Sequence, residues 1–241
     1  MPFITGVGWI TAGGMGRGRE TPQFEMTAGK VRPVTRESVI EGAFAHFGRM
    51  DAFSKLGFGG IALALRDADL HDWKDKRPIG MIASTVYGCL QTDMDYADTM
   101  AHDEGRLASP ALFSYTLPNC FLGEAAWYFG TTGLSYVIYD PEFGGLNSLR
   151  TALLHIRLNE FEKGVAGIVD DPPVVSGTAC AMPGAAFVVI EAHTHSASRP
   201  YGRIELGQNH EIRFNDQRIT HFTHLVKMCL NVLHGKDRGS N

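Results

Sequence analysis

The chain contains 241 residues, with 22 basic and 26 acidic side chains and a formal net charge of −4. This length suits one globular domain that spans residues 1–241. The small acidic charge disfavours nucleic-acid binding, because proteins of that class usually carry a basic face that displaces counterions from phosphates.

Two nearly uncharged runs, 2–15 and 174–190, are the longest in the chain, and Pro183 and Gly184 interrupt the second. Neither run supplies the roughly 20 uninterrupted apolar residues that a membrane helix needs. The first residues also lack the basic segment that opens a signal peptide. We therefore expect a cytoplasmic protein that does not insert into a membrane.

The cysteines favour the same location, because they are scattered and show no CxxC spacing. They are Cys89, Cys120, Cys180 and Cys229. This pattern is typical of reduced cytosolic thiols rather than of disulfides or a zinc site.

The first predicted element is a buried strand over 3–10, which runs into a glycine-rich stretch from Gly13 to Gly18. A strand followed by glycines is one mark of a dinucleotide-binding loop. Here Thr11 stands where the third glycine of that motif would be, and no helical pattern follows. We therefore predict a plain loop at this place, and no bound nucleotide cofactor.

Apolar spacing gives the remaining elements. Buried strands are predicted over 79–85, 135–140, 163–170 and 184–191, and helices over 50–70, 121–128 and 146–156. Four carboxylates between Asp93 and Asp103 match no calcium-loop spacing, so a solvated helix face is the favoured interpretation. Alternating strands and helices predict an α/β fold whose sheet is covered on both faces.

The motifs in this order resemble the first half of the β-ketoacyl-[acyl-carrier-protein] synthase family, which has the thiolase fold. The segments that carry the resemblance are 4–11, 63–70, 83–88, 109–113, 117–119, 133–138, 165–170, 184–191 and 201–204. It covers residues 3–207, and the tail 208–241 has no assigned counterpart. The resemblance implies a thiolase-like layered fold with one mixed, mostly parallel sheet flanked by helices.

In the resembled family a cysteine at a strand-to-helix elbow performs the chemistry, and two histidines come from the second half of a longer chain. Counted from Gly133, the cysteine position falls on Glu142. Thr178-Ala-Cys180 spells the family's nucleophile motif, but its neighbours match the strand that closes the first half. The length of 241 residues suits the elbow half only, so we expect no condensation chemistry.

Three roles are open for Glu142. In the first, Asp140 is the N-cap of the following helix, Pro141 its first residue and Glu142 an acid in its first turn. In the second, Glu142 contacts a ligand. In the third it acts chemically with Asp140 as its carboxylate neighbour, although an ionised carboxylate is a poor nucleophile towards a thioester.

The histidines suggest candidate pairs but no metal site. His193 and His195 would share one face of an extended chain, and His221 and His224 one face of a helix. No pair has a third ligand at a recognised spacing, so we predict no zinc. His155 is expected to be a hydrogen-bonded histidine on the helix after the elbow.

The leading functional hypothesis is a catalytically disabled, chain-length-factor-like partner subunit in fatty-acid or polyketide assembly. It would form a homodimer, or a heterodimer with an active ketosynthase, through the strand from Ser135 to Tyr139. The alternative is an acyl-thioester hydrolase or acyltransferase that uses Glu142 as a general base. A third hypothesis, passive binding of an acyl carrier protein, would rely on isolated basic groups such as Arg203 and Lys227.

Overall fold

The computed structural model describes residues 1–101, 105–142, 144–173, 182–194 and 199–235. Its strands are β1 Phe3–Thr11, β2 Gly14–Arg17, β3 Ile79–Thr85, β4 Ser135–Tyr139, β5 Lys163–Asp170, β6 Gly184–Glu191, β7 Gly202–Leu206, β8 Ile212–Phe214 and β9 Gln217–Ile219. Its helices are α1 Arg36–Val39, α2 Ala52–Asp67, α3 Leu90–Met100, α4 Pro110–Phe113, α5 Cys120–Phe129, α6 Leu146–Arg157 and α7 Phe222–His234, with a 3-10 helix over Ala45–Arg49. The predictions for Cys180 and His195 lie outside the described residues.

The strands form one mixed sheet in the order β4-β3-β5-β6-β1-β7-β8-β9, and β2 pairs with β1. Parallel pairing joins β4 to β3 and β3 to β5. The remaining pairs are antiparallel. The predicted α/β fold with one mixed sheet between helices is confirmed, and its parallel part is the three strands β4, β3 and β5.

One face of the sheet is covered by α2 and α5, and the glycines of β1 allow the close approach of α2. A Cβ at Gly6 would lie 2.3 Å from the carbonyl oxygen of Ala64, and a Cβ at Gly8 would lie 2.3 Å from the Ala64 nitrogen. These two glycines therefore serve helix–strand packing, because only a residue without a side chain lets the backbones lie so close.

The glycine-rich stretch after β1 is a strand where the sequence predicts a loop. Residues 14–17 pair antiparallel with β1, in the register Gly8 with Arg17 and Thr11 with Gly14. The hydroxyl of Thr11 donates to the carbonyls of Gly14 and Glu25, at 3.1 and 2.7 Å, and so holds the connecting turn. The sequence pattern did not predict this strand because three of the five residues 14–18 are glycines, and glycine is depleted in strands.

The opposite face of the sheet is covered by α6 and by the tail that has no counterpart in the resemblance. Leu149 and Leu153 of α6 share one buried cluster with Phe222 and Leu225 of α7. β7, β8 and β9 extend the sheet beyond β1 and contribute Ile204, Ile212, Phe214 and Ile219 to the same cluster. Residues 208–235 therefore pack on this chain's own sheet.

Two further expectations concern helices. Asp95 and Asp98 of α3 are exposed and Asp93 is half-buried, which confirms a largely solvated acidic face. Within the described ranges no helix combines the length and apolar character required to cross a lipid bilayer.

Candidate functional site

A pocket of about 360 Å³ opens where the parallel strands β3 and β5 end and where the loop after β4 begins. Its lining residues are Phe24, Met26, Ser84, Thr85, Val86, Asp140, Pro141, Gly144, Gly145, Ile168, Asp170, Met182, His221, Thr223 and Lys227. We name it the elbow pocket. The carboxyl ends of parallel strands are where open α/β sheets usually bind ligands.

Asp140 is the first residue after β4, and its carboxylate accepts hydrogen bonds from Asn147 in the first turn of α6. Its Oδ2 accepts hydrogen bonds from the Asn147 amide at 3.1 Å and from the Ser84 hydroxyl at 3.2 Å. Its Oδ1 accepts from Asn147 Nδ2 at 3.2 Å. A carboxylate at this end of a helix is favoured by the free N–H groups and by the helix dipole, so Asp140 stabilises α6.

The predicted cap geometry is wrong. The helix begins at Leu146 with Gly145 as its N-cap, and Pro141 and Glu142 lie in a turn before it. The physical reason is the pair of glycines: Gly144 and Gly145 have φ angles of 58° and 80°, which no helix continues through. A Cβ at Gly145 would also lie 2.0 Å from Cγ2 of Ile168, so the site admits only glycine.

The structure separates the two predicted site residues. Asp140 is 4% exposed and lines the elbow pocket, whereas Glu142 is exposed and does not line it. The glycine pair turns the chain between them and α6, so Glu142 is not in the first helical turn.

Two serines join the elbow to β3. Ser84 donates to Asp140 and its oxygen accepts a hydrogen bond from the Ser148 amide at 3.0 Å. The Ser148 hydroxyl donates to the Gly145 carbonyl at 2.9 Å. Both serines are buried, so this network fixes the position of the elbow relative to the sheet.

Asp170, at the end of β5, is the second buried carboxyl group of the pocket. Its Oδ1 accepts three hydrogen bonds, from the Thr85 hydroxyl at 2.8 Å, the Val86 amide at 2.8 Å and the Tyr87 amide at 2.9 Å. Burial raises the pKa of Asp170, and the three donors only partly oppose that effect. Asp170 was not among the predicted site residues, although it stands at the end of a predicted buried strand.

The tail also lines the pocket, together with the elbow after β4 and the ends of β3 and β5. His221 is the N-cap residue of α7, and the next residue, Phe222, donates its amide hydrogen to the Gly144 carbonyl at 2.9 Å. Thr223 and Lys227 follow on α7 and also line the pocket. Local sequence patterns do not indicate this contact, because the tail and the elbow lie far apart along the chain.

The other histidine predictions have separate outcomes. His221 precedes the helix, so the prediction that it shares a helix face with His224 is wrong. His155 hydrogen-bonds to the Tyr136 hydroxyl at 2.6 Å and to Glu160 at 2.5 Å, which confirms a hydrogen-bonded histidine. His193 is exposed. Across the described residues, no group of three or more histidine, cysteine or acidic side chains is placed to hold a metal ion.

No family model matches the chain. A stretch of 101 residues, 39% of this chain and 24% of the relative, is 30% identical to the curated protein "Putative polyketide beta-ketoacyl synthase 1" of Streptomyces virginiae. The chain therefore spans about a quarter of the length of the curated relative that it matches.

Solved structures extend the likeness to most of the chain. A type II polyketide-synthase acyl-carrier protein in complex with its ketosynthase bound to the hexaketide matches with a TM-score of 0.68 and 16% identity, over 86% of this chain and 68% of that chain. The chain has a ketosynthase fold. The ishigamide ketosynthase/chain length factor matches with a TM-score of 0.62 and 13% identity, over 84% of this chain and 65% of that chain. The predicted thiolase-like layered fold is thereby confirmed.

Proposed function

We propose that this protein is a ketosynthase-like partner subunit that does not itself condense acyl chains. It pairs with an active ketosynthase, or with a second copy, in cytoplasmic fatty-acid or polyketide assembly. The observation that carries the proposal is a ketosynthase fold in which a glutamate, Glu142, stands at the position that the resemblance gives to the nucleophilic cysteine. An ionised carboxylate attacks a thioester poorly, so acyl loading does not follow.

The described cysteines support the non-condensing part of the proposal. Cys89, Cys120 and Cys229 do not line the elbow pocket. Burial, with a contribution from Asp93, raises the pKa of Cys89 to about 12. Burial also raises the pKa of Cys120 and that of Cys229. Thiols with raised pKa values hold little thiolate near neutral pH, so they are poor nucleophiles.

The edge strand β4 supports the pairing. β4 hydrogen-bonds to β3 in parallel and stands at the end of the strand order, so its other edge is unpaired among the described strands. Tyr139 is 70% exposed and Leu134, just before the strand, is 48% exposed. An apolar edge strand is a template for another strand, and a partner that covers it removes an aggregation hazard.

We also propose that residues 1–241 form one domain, because 208–235 pack on the sheet formed by the rest of the chain. Acyl carrier protein is a further proposed partner. The exposed Arg203 and Lys227 offer this partner modest electrostatic steering. Arg213 is also exposed, but its Nε lies 3.7 Å from Oε1 of Glu211 in an ion pair.

Matched charge insertions at the two ends of the sheet test the pairing. Tyr139→Glu places a carboxylate on β4, and Gln217→Glu places one on the exposed part of β9 at the opposite end. Light scattering after size exclusion should show a dimer for the wild type, alone or with a co-expressed active ketosynthase from the same organism. It should show a monomer for Tyr139→Glu and the wild-type state for Gln217→Glu. A wild-type monomer in both settings contradicts the proposal.

A further inference from the structure

The elbow pocket contains a buried acceptor that the fold leaves open. All three hydrogen bonds to Asp170 reach Oδ1, and no described residue donates to Oδ2. The residue is 8% exposed and lines the pocket. Because Oδ2 has no donor among the described residues and Asp170 lines the pocket, this oxygen can accept a hydrogen bond from a ligand that carries an O–H or N–H group.

One wall of the pocket is apolar. The side chains that form this wall are Phe24, Met26, Ile168 and Met182. A volume of about 360 Å³ with an apolar wall and several polar groups falls in the usual range of small-molecule sites. The wall favours a flexible hydrocarbon body between the polar ends of the ligand.

The solvent side of the pocket is basic and comes from the tail. Lys227 of α7 and His221, the residue before α7, are exposed and line the pocket. Lys227 forms no ion pair with any described residue. The positive charge of Lys227 at the mouth attracts an anionic group on the ligand. It repels an amine, although Asp170 by itself would accept a hydrogen bond from one.

We propose that the elbow pocket binds an amphiphilic hydroxy acid, whose hydroxyl donates to Asp170 Oδ2 and whose carboxylate meets Lys227 at the mouth. Each of its three chemical parts corresponds to one side of the pocket: the acceptor, the apolar wall and the cation. This binding uses the chain's own pocket and does not depend on pairing at β4, so either proposal can fail alone.

Three probes separate the parts in calorimetric titrations of the full chain at low salt: ω-hydroxydecanoate, its methyl ether ω-methoxydecanoate, and decanoate. The wild type should bind ω-hydroxydecanoate about tenfold more tightly than the other two, because a hydrogen bond to a charged group contributes roughly 1.5–3 kcal/mol. The ether is the sharper comparison, since it accepts but cannot donate, and Asp170 only accepts when ionised.

Asp170→Asn keeps an oxygen for the three internal donors and replaces the second carboxylate oxygen, Oδ2, with an amide nitrogen. It should cut the preference for ω-hydroxydecanoate over its ether to about twofold or less. Lys227→Met keeps the stem, removes the charge and should weaken all three probes by about two- to fivefold. Asp171→Asn and Lys74→Met are matched controls outside the pocket and should bind as the wild type does.

Thr223→Trp is the blocking variant, because Thr223 is a half-buried pocket residue on α7. It should abolish binding of every probe while the thermal melt stays close to that of the wild type. The proposal is overturned if the wild type binds no probe at millimolar concentration, if decylamine binds more tightly than ω-hydroxydecanoate, or if Thr223→Trp folds and still binds.

Discussion

The backbone amide of Phe222 donates a hydrogen bond of 2.9 Å to the carbonyl of Gly144, and this bond ties the tail of the chain to the elbow after β4. Phe222 is fully buried in the cluster formed by α6, α7 and the sheet. The contact places His221 and Lys227 around the elbow pocket, so the tail completes a site that the central strands begin.

Phe222→Ala should therefore lower the free energy of unfolding by about 3–5 kcal/mol, because it leaves a cavity in this cluster. Urea denaturation followed by circular dichroism measures the change. Thr223→Ala, on the pocket side of the same helix, is the control and should cost less than about 1 kcal/mol. Equal losses for the two variants would mean that the tail does not pack as described.

Glycine substitutions test the contact between β1 and α2. Gly8→Ala should destabilise the protein by at least about 1–3 kcal/mol, because the new Cβ would lie 2.3 Å from the Ala64 nitrogen. Gly123→Ala in α5 is the matched control, since that position is exposed and has nothing within 4 Å. It should raise stability by about 0.5–1 kcal/mol through helix propensity. Thermal melts of both variants would show the opposite signs.

The pH dependence of stability should reflect Asp170. Because the pKa of Asp170 is raised in the folded state, the folded protein binds this proton more tightly than the unfolded chain does. The associated stability is fully present below the unfolded value, about 4, and is lost as the pH rises through the folded pKa. The raised pKa values of Asp67 and Asp171 act in the same direction.

Asp170→Asn should accordingly lose less stability than the wild type as the pH rises from about 4 through this window. Urea midpoints measured at several pH values give the comparison. The exposed Asp98→Asn is the control and should follow the wild-type curve. A wild-type slope retained in Asp170→Asn would remove Asp170 from the explanation.

Glu142 decides between the partner subunit and the alternative hydrolase or acyltransferase. Its side chain is exposed and outside the elbow pocket, so we expect Glu142→Gln to leave any acyl-thioester turnover unchanged. A spectrophotometric thiol-release assay with medium-chain acyl thioesters measures it. A loss of at least tenfold in kcat, with an unchanged melt, would favour the enzymatic alternative and a general base at this position.

The buried strands were predictable because short, mostly apolar runs such as 79–85 and 163–170 are typical of strands buried on both faces. The start of α6 was not, because the Asp-Pro-Glu sequence is a good helix start and only the φ angles of Gly144 and Gly145 displace it. Asp140 was predicted only as a helix cap and as the carboxylate neighbour of Glu142. Its partner Ser84 and the tail residues around the pocket depend on contacts between distant segments, for which local patterns give no signal.

Hydrogen–deuterium exchange of the β4 amides, 135–139, shows whether a partner subunit covers this edge strand. The chain is measured alone at low concentration and again after mixing with an active ketosynthase from the same organism. We expect strong new protection of 135–139 in the complex, absent in Tyr139→Glu and retained in Gln217→Glu, without comparable protection of β9. Unchanged exchange in β4 at both low and high concentration and in the mixture would contradict the proposed pairing.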